Sequence, residues 1–198
     1  MSTHTPKPAL YWLPNSLTLG RIIFIPILVI GLLSYSTDIA LMGRGVLVAL
    51  FIIMIATDFL DGYLARRLGV TSDFGRMIDP IADKLFVAAL LITFSIMESG
   101  HPLILAPALI IIGRDIFVSG LREHAALEGI VMPPTKLAKW KTATEMLALG
   151  ALLLALIYFR HTATGEIFRQ TGIAILWVAS SLSTYTGAKY LRATLKSP

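Results

Sequence analysis

The chain has 198 residues, of which 56% are hydrophobic and 15% are charged, and its mean hydropathy is +0.75. Soluble domains carry about 25% charged residues, so this composition indicates an integral membrane protein. The absence of cysteine excludes disulfides, thiolate metal sites and thiol nucleophiles. The net charge of +5 fits attraction to anionic lipid head groups, although ordinary topology signals explain it equally well.

Six segments approach the length of about 20 apolar residues that a membrane-spanning helix needs. Residues 1–14 contain three prolines and no apolar signal-peptide core, so they are predicted to form a short juxtamembrane segment with Tyr11 and Trp12 at the interface. No repeat and no separate soluble domain is visible, so we expect one all-α membrane-embedded domain over residues 1–198. The predicted spans are 16–36, 43–66, 76–98, 102–123, 137–159 and 167–191.

Lysine and arginine are distributed unevenly around these spans. With the N-terminus placed in the cytoplasm, fourteen of the seventeen fall at cytoplasmic span ends, and only Arg44, Arg160 and Arg169 fall outside. Cytoplasmic loops of membrane proteins carry an excess of these residues. Both termini are therefore predicted to be cytoplasmic, in a multi-pass protein of the cell's inner membrane.

Four aspartates, Asp58, Asp61, Asp79 and Asp83, interrupt the apolar sequence of the second and third spans. A carboxylate at bilayer depth costs about 2.5–3.5 kcal/mol, so four unpaired ones would cost on the order of 10 kcal/mol. Protonation, Arg or Lys partners, or divalent cations would neutralise them, and only cations use all four as ligands at once. The pattern therefore predicts a metal site in a membrane.

The spacing of these acids favours their convergence. Intervals of three and four residues place each pair on one helical face, and a ten-residue connection over 66–75 is short enough to join the two spans as an antiparallel pair. Pro80 suggests that Asp79 lies near a helix N-terminus. Two divalent ions would cancel the four charges and would clamp a diphosphate during phosphoryl displacement.

The acids belong to a longer pattern that resembles a known family. Eight residues match every fixed position of the CDP-alcohol phosphatidyltransferase signature, which is far more specific than a lone pair of aspartates. Residues 13–21, 113–123 and 139–142 further resemble one branch of that family, the bacterial phosphatidylglycerophosphate synthases. The eight residues are Asp58, Asp61, Gly62, Ala65, Arg66, Gly75, Asp79 and Asp83.

This resemblance implies a six-helix homodimeric membrane enzyme whose active site opens to the cytoplasm and which requires Mg²⁺ or Mn²⁺. It implies that the four aspartates hold two metal ions, and that Asp83 is also the base that deprotonates the acceptor. The substrate would be CDP-diacylglycerol, with its CDP moiety framed by Gly62, Ala65, Arg66 and Gly75. The two glycines are equally consistent with close helix packing, and Arg66 with a topology signal.

The branch resemblance implies sn-glycerol 3-phosphate as the acceptor, and an anionic acceptor requires cations. Arg114, Arg122, Lys139 and Lys141 lie in the segments that carry this resemblance. For the last three, contact with lipid head groups is an equal alternative. Arg114 lies inside a predicted span, where an unpaired guanidinium is costly, which favours a role in the site.

Two alternatives remain open. The same reaction with inositol phosphate, serine or another alcohol changes only the acceptor, and the cations disfavour neutral acceptors. A divalent cation transporter would also place acids in the membrane, but it predicts acids spread through the depth of the bundle. Here the acids cluster near one face.

Overall fold

A computed structural model of the chain describes residues 8–34, 41–68, 73–129 and 136–195. Side chains are described at these positions except at 8–15, 41–42, 58–59, 61–68, 73–74, 76, 136 and 195. Over the described residues every regular element is an α-helix, which confirms the all-α prediction. The helices are α1 (Pro8–Leu33), α2 (Leu41–Leu68), α3 (Asp73–Met97), α4 (Pro102–Leu127), α5 (Lys136–Ile157) and α6 (Ala163–Leu195).

Each helix contains most of one predicted span, but the boundaries differ. Helix α1 begins at Pro8 rather than at residue 16, so much of the predicted juxtamembrane segment is helical. Proline is tolerated in the first turn of a helix, where its missing N–H would have no partner. Helix α6 extends beyond the predicted 167–191 at both ends.

The start of α3 corrects two predictions. The helix begins at Asp73, so Asp79 is its seventh residue and does not lie at an N-terminus, and Pro80 lies inside the helix. A proline there forfeits one backbone hydrogen bond, which the rest of a long helix compensates. The predicted connection over 66–75 is also wrong, because α2 and α3 include both of its ends and leave only 69–72 between them.

Contacts divide the chain into two compact units, Met1–Ala89 and Leu90–Pro198. In the first unit α1 packs against α2. Gly31 permits their close approach, because a Cβ atom there would lie 2.6 Å from Leu47 Cδ2. The fully buried side chains of this unit include Leu28, Leu32 and Met54.

In the second unit α6 packs against both α4 and α5. At one end of this unit Glu98 forms an ion pair with Arg169 of α6, with 2.6 Å between Oε2 and Nη2. A cavity of about 380 Å³ lies beside this pair. The core of the unit is apolar and includes Leu90, Leu91, Ile104, Ile111, Leu149, Leu153, Ile157 and Leu176.

Many large apolar side chains point outward, such as Ile23 and Ile116 with exposed fractions of 64% and 68%. Among the described residues, four stretches are long and apolar enough to cross a membrane. These observations indicate a multi-pass membrane protein, while the six spans and their orientation stay predictions. The four stretches are Ser16–Leu33, Met77–Met97, Pro102–Leu127 and Leu137–Ile157, and α2 has a shorter apolar run, Gly43–Thr57.

Candidate active site

Two of the four signature aspartates are held by side chains from α1. The hydroxyl of Thr18 donates a hydrogen bond to Asp79 Oδ1 at 2.7 Å, and Arg21 Nη1 donates to Asp83 Oδ1 at 2.8 Å. Thr18 and Arg21 are three residues apart on α1, and the aspartates are four apart on α3, so each pair shares one helical face. Helix α1 therefore fixes the orientation of both carboxylates.

The burial of these groups differs. Thr18 and Arg21 are fully buried, whereas the Asp83 side chain retains 53% of its accessible surface. A buried cation needs a partner, because its desolvation is costly when its charge is not balanced. Asp83 balances the Arg21 charge and still presents a carboxylate that a ligand can reach.

Five of the eight signature residues lie on α2. The backbone of Asp58, Asp61, Gly62, Ala65 and Arg66 is helical, and their side chains lie outside the described set. On α3, the signature glycine at position 75 is buried. Convergence of all four carboxylates, and the framing of CDP by the remaining signature residues, therefore stay predictions.

The described carboxylates suit a divalent ion. Asp79 and Asp83 offer the oxygen ligands that Mg²⁺ and Mn²⁺ prefer, and their hydrogen bonds to α1 resemble the outer contacts that orient metal-binding carboxylates. Among the side chains that the structure describes, no group of three or more acids or histidines is placed to hold a metal. Only two of the four signature aspartates belong to that set.

A second polar centre, which we call the ion cluster, lies in the Leu90–Pro198 unit and consists of Arg114, Asp115, Lys141 and Glu145. Lys141 Nζ lies 2.6 Å from both Asp115 carboxylate oxygens, and Arg114 Nη1 lies 2.9 Å from Asp115 Oδ1. Lys141 Nζ also lies 3.0 Å from Glu145 Oε1, an ion pair without hydrogen-bond geometry. Lys141 and Glu145 are buried, so this part of the ion cluster is shielded from solvent.

Helix α6 completes the surroundings of Arg114. Arg114 Nε donates to the Ser183 carbonyl at 3.2 Å, and Nη2 donates to Thr186 Oγ1 at 2.8 Å. The Tyr190 ring lies 5.9 Å from the guanidinium carbon. Gly187 makes room for this side chain, because a Cβ atom there would lie 3.0 Å from Arg114 Cγ.

The four predicted acceptor-binding cations thus have different environments. Arg114 and Lys141 are brought together through Asp115. Arg122 and Lys139 are exposed residues of α4 and α5, and no described contact joins them to the ion cluster. Binding of an acceptor phosphate by any of the four stays a prediction.

Sequence reasoning missed the contribution of α1 to the site. Thr18 and Arg21 lie within residues 13–21, which carry part of the family resemblance, and this is the signal that could have found them. Glu145 lies one helical turn after Lys141, a spacing that allows the two side chains to meet. No motif in the sequence marks Thr186 as a partner of Arg114.

Comparison with known proteins identifies the group to which this arrangement belongs. A sequence model of the CDP-alcohol phosphatidyltransferase family matches residues 11–185. The chain belongs to this family. The match includes Thr18 and Arg21, the complete signature and the ion cluster, and it ends one residue before Thr186.

Relatives within the CDP-alcohol phosphatidyltransferase family cover most of the chain. A Rickettsia typhi protein named CDP-diacylglycerol--glycerol-3-phosphate 3-phosphatidyltransferase is 39% identical over 91% of this chain and 96% of its own length. A protein of the same name from Cereibacter sphaeroides is 32% identical over 92% and 95%, respectively. A protein of Oryza sativa subsp. japonica named cardiolipin synthase (CMP-forming) is 36% identical over 94% of this chain and 58% of its own length.

The contact between α1 and Asp79 gives a testable prediction for this phosphatidyltransferase. Thr18→Val removes the hydroxyl that bonds to Asp79 and keeps the shape of the side chain. A hydrogen bond to a charged group contributes about 1.5–3 kcal/mol, so we expect kcat to fall about 10- to 100-fold. The rate of CMP release from CDP-diacylglycerol measures the effect. Thr18→Ser, which retains the hydroxyl, is the matched control, and equal rates for the two variants would contradict the assigned role.

Proposed function

We propose that the chain transfers the phosphatidyl group from CDP-diacylglycerol to sn-glycerol 3-phosphate, forming phosphatidylglycerophosphate and CMP. The observation that carries this proposal is the complete eight-residue signature inside a family match over residues 11–185. It is supported by relatives that bear the name of this activity at 39% identity over most of the chain. The reaction is a phosphoryl transfer, in which catalysis rests on positioning and on electrostatic stabilisation.

In the proposed reaction Asp83 is the general base. The primary hydroxyl of the acceptor attacks the phosphorus joined to diacylglycerol, and its proton passes to the Asp83 carboxylate. The bond from that phosphorus to the CMP oxygen breaks, and CMP leaves. Positioning within hydrogen-bond reach matters first for such a base, and the contact with Arg21 together with the 53% exposed side chain of Asp83 supports this role.

The signature aspartates Asp58, Asp61, Asp79 and Asp83 would hold Mg²⁺ or Mn²⁺, in two sites. Bound there, the metal supplies charge neutralisation for the diphosphate and for the oxygen of the leaving CMP. The protein's own task is to keep the carboxylates oriented, which Thr18 does for Asp79 and Arg21 for Asp83. Gly62, Ala65, Arg66 and Gly75 would line the CDP moiety.

The acceptor phosphate is assigned to Arg114 and Lys141, with Arg122 and Lys139 as further cations nearby in sequence. Arginine and lysine are the usual partners of phosphate groups in proteins. An acceptor such as serine has no phosphate group and no net negative charge, so it matches this set of cations less well. Because the rice relative is named cardiolipin synthase (CMP-forming), the lipid phosphatidylglycerol is also tested as an acceptor.

The proposal also assigns a membrane location, a topology and an oligomeric state. The enzyme lies in the cytoplasmic membrane with six spans and both termini in the cytoplasm, because fourteen of its seventeen lysines and arginines fall on that side in the predicted topology. Its active site faces the cytoplasm, so that the water-soluble sn-glycerol 3-phosphate can reach it from that side. It acts as a homodimer, as the family resemblance implies.

Acceptor competition tests the proposed function. Purified protein in detergent receives CDP-diacylglycerol, Mg²⁺ and radiolabelled sn-glycerol 3-phosphate, and label in the lipid phase is measured together with CMP. We expect the two products in equal amounts, and we expect unlabelled inositol phosphate, serine or phosphatidylglycerol at equal concentration to reduce the label only slightly.

Two other outcomes would change the acceptor or overturn the proposed reaction. Release of CMP without label in lipid, together with incorporation of one of the other alcohols, replaces the acceptor and keeps the reaction. Uptake of Mg²⁺ by proteoliposomes without any CMP release would make the chain a cation transporter and would overturn the proposal. Asp79→Asn serves as the inactive control.

A further inference from the structure

The two predicted acceptor cations with the most contacts are held by a single carboxylate. Asp115 Oδ1 accepts hydrogen bonds from Arg114 Nη1 at 2.9 Å and from Lys141 Nζ at 2.6 Å. Because both cations bind the same oxygen, a guanidinium from α4 and an ammonium from α5 become close neighbours. Without a shared anion, the guanidinium and the ammonium group would repel each other, because both carry a positive charge.

The charge balance of the ion cluster depends on Asp115. Arg114 and Lys141 contribute two positive charges, and the Asp115 carboxylate is the anion that both of them contact. The Lys141 side chain retains only 6% of its accessible surface. Removing one carboxylate would leave a buried, uncompensated cation, which is costly and favours displacement of the lysine.

Arg114 is further restricted by α6. Three of the five N–H groups of its guanidinium have partners among the described residues, namely Asp115, Thr186 and the Ser183 carbonyl. A guanidinium with five donors in a fixed fork retains two N–H groups for another anion. The Arg114 side chain keeps 12% of its accessible surface, so it is not fully enclosed.

We propose that Asp115 is the positioning residue of the acceptor-phosphate site, which holds Arg114 and Lys141 side by side so that both meet one phosphate group. Thr186 of α6 acts as a second positioning residue by fixing the far side of the guanidinium. Neither residue touches the reacting atoms. The inference rests on the proposed function, because it takes the acceptor to be a phosphorylated alcohol such as sn-glycerol 3-phosphate.

A purely structural role for the ion cluster makes a different prediction. If Asp115 only joins α4 to α5, its loss lowers stability and leaves the preference among substrates unchanged. If it positions the phosphate ligands, its loss weakens binding of the acceptor and leaves binding of CDP-diacylglycerol intact. The two roles therefore separate in the KM values for the two substrates.

The test compares Asp115→Asn with Glu98→Gln in purified protein. Asp115→Asn keeps the shape of the side chain and removes its charge, and we expect KM for sn-glycerol 3-phosphate to rise about 10- to 100-fold with KM for CDP-diacylglycerol within about twofold of wild type. Glu98→Gln removes the charge of a carboxylate that pairs with Arg169 in the same unit, and no described contact joins this pair to the ion cluster. We expect it to leave both KM values unchanged.

A second variant covers the case in which Asp115→Asn does not fold. Thr186→Val removes the hydroxyl oxygen that accepts a hydrogen bond from Arg114 Nη2, and it changes no charge. We expect KM for sn-glycerol 3-phosphate to rise about 3- to 10-fold, with KM for CDP-diacylglycerol unchanged. Equal KM values for Thr186→Val and wild type, or equal changes in both KM values, would overturn the proposal.

Direct binding separates this proposal from the proposed function. The rise in Tm on addition of sn-glycerol 3-phosphate reports its binding without turnover. A wild-type protein that uses CDP-diacylglycerol but gains no Tm from this ligand contradicts the assigned acceptor, and the positioning role falls with it. A Tm gain that is equal in wild type and Asp115→Asn contradicts the positioning role alone.

Discussion

Replacement of Asp83 by asparagine is expected to lower kcat about 10²- to 10⁴-fold, which is the contribution of a positioned general base. Asparagine retains an Oδ1 acceptor, so the hydrogen bond from Arg21 at 2.8 Å can persist and the fold should survive. It has no basic oxygen to receive the proton of the acceptor hydroxyl. Single-turnover release of CMP at saturating CDP-diacylglycerol and sn-glycerol 3-phosphate measures the loss.

Binding of CDP-diacylglycerol tests whether Asp83 acts as the general base or only stabilises the fold. We expect Asp83→Asn to keep its affinity for this substrate, measured by the rise in Tm that the ligand produces. The control is Glu98→Gln, which removes a carboxylate of a different ion pair. Near-normal turnover of Asp83→Asn would exclude it as the base.

Loss of a metal-binding carboxylate should have an effect of similar size. Asp61→Asn and Asp79→Asn are each expected to reduce turnover by two or more orders of magnitude, because charge on the leaving CMP is then less well neutralised. Folding should change little, since one fewer carboxylate also reduces repulsion among the acids. At position 79, asparagine can still accept the hydrogen bond from Thr18.

Metal titration connects these losses to the ion. Chelation of the wild-type protein should abolish CMP release, and Mg²⁺ or Mn²⁺ should restore it. In the variants we expect half-maximal activity to require more metal, and Mn²⁺ binding measured by electron paramagnetic resonance to weaken in parallel. Asp73→Asn, at the first residue of the same helix, is the matched control. Unchanged Mn²⁺ affinity in Asp79→Asn would refute its role as a ligand.

The family and the number of helices followed from local pattern in the sequence. Apolar segments of about 20 residues predict helices because the period and length of the pattern are properties of one segment. The signature acids lie at fixed intervals on α2 and α3, so their sharing of a helical face also followed from spacing alone. The exact starts of α1 and α3 did not follow, because a proline is compatible with more than one position near the beginning of a helix.

The partners of the acids required the folded chain. Thr18 and Arg21 are separated from Asp79 and Asp83 by 61 and 62 residues, and Arg114 from Thr186 by 72. Such contacts depend on which helices pack together and at what rotation, and an apolar pattern does not encode this. Spacing along the chain therefore predicted a metal-binding role for the acids, while the packing of helices decided which residues hold Asp79 and Asp83.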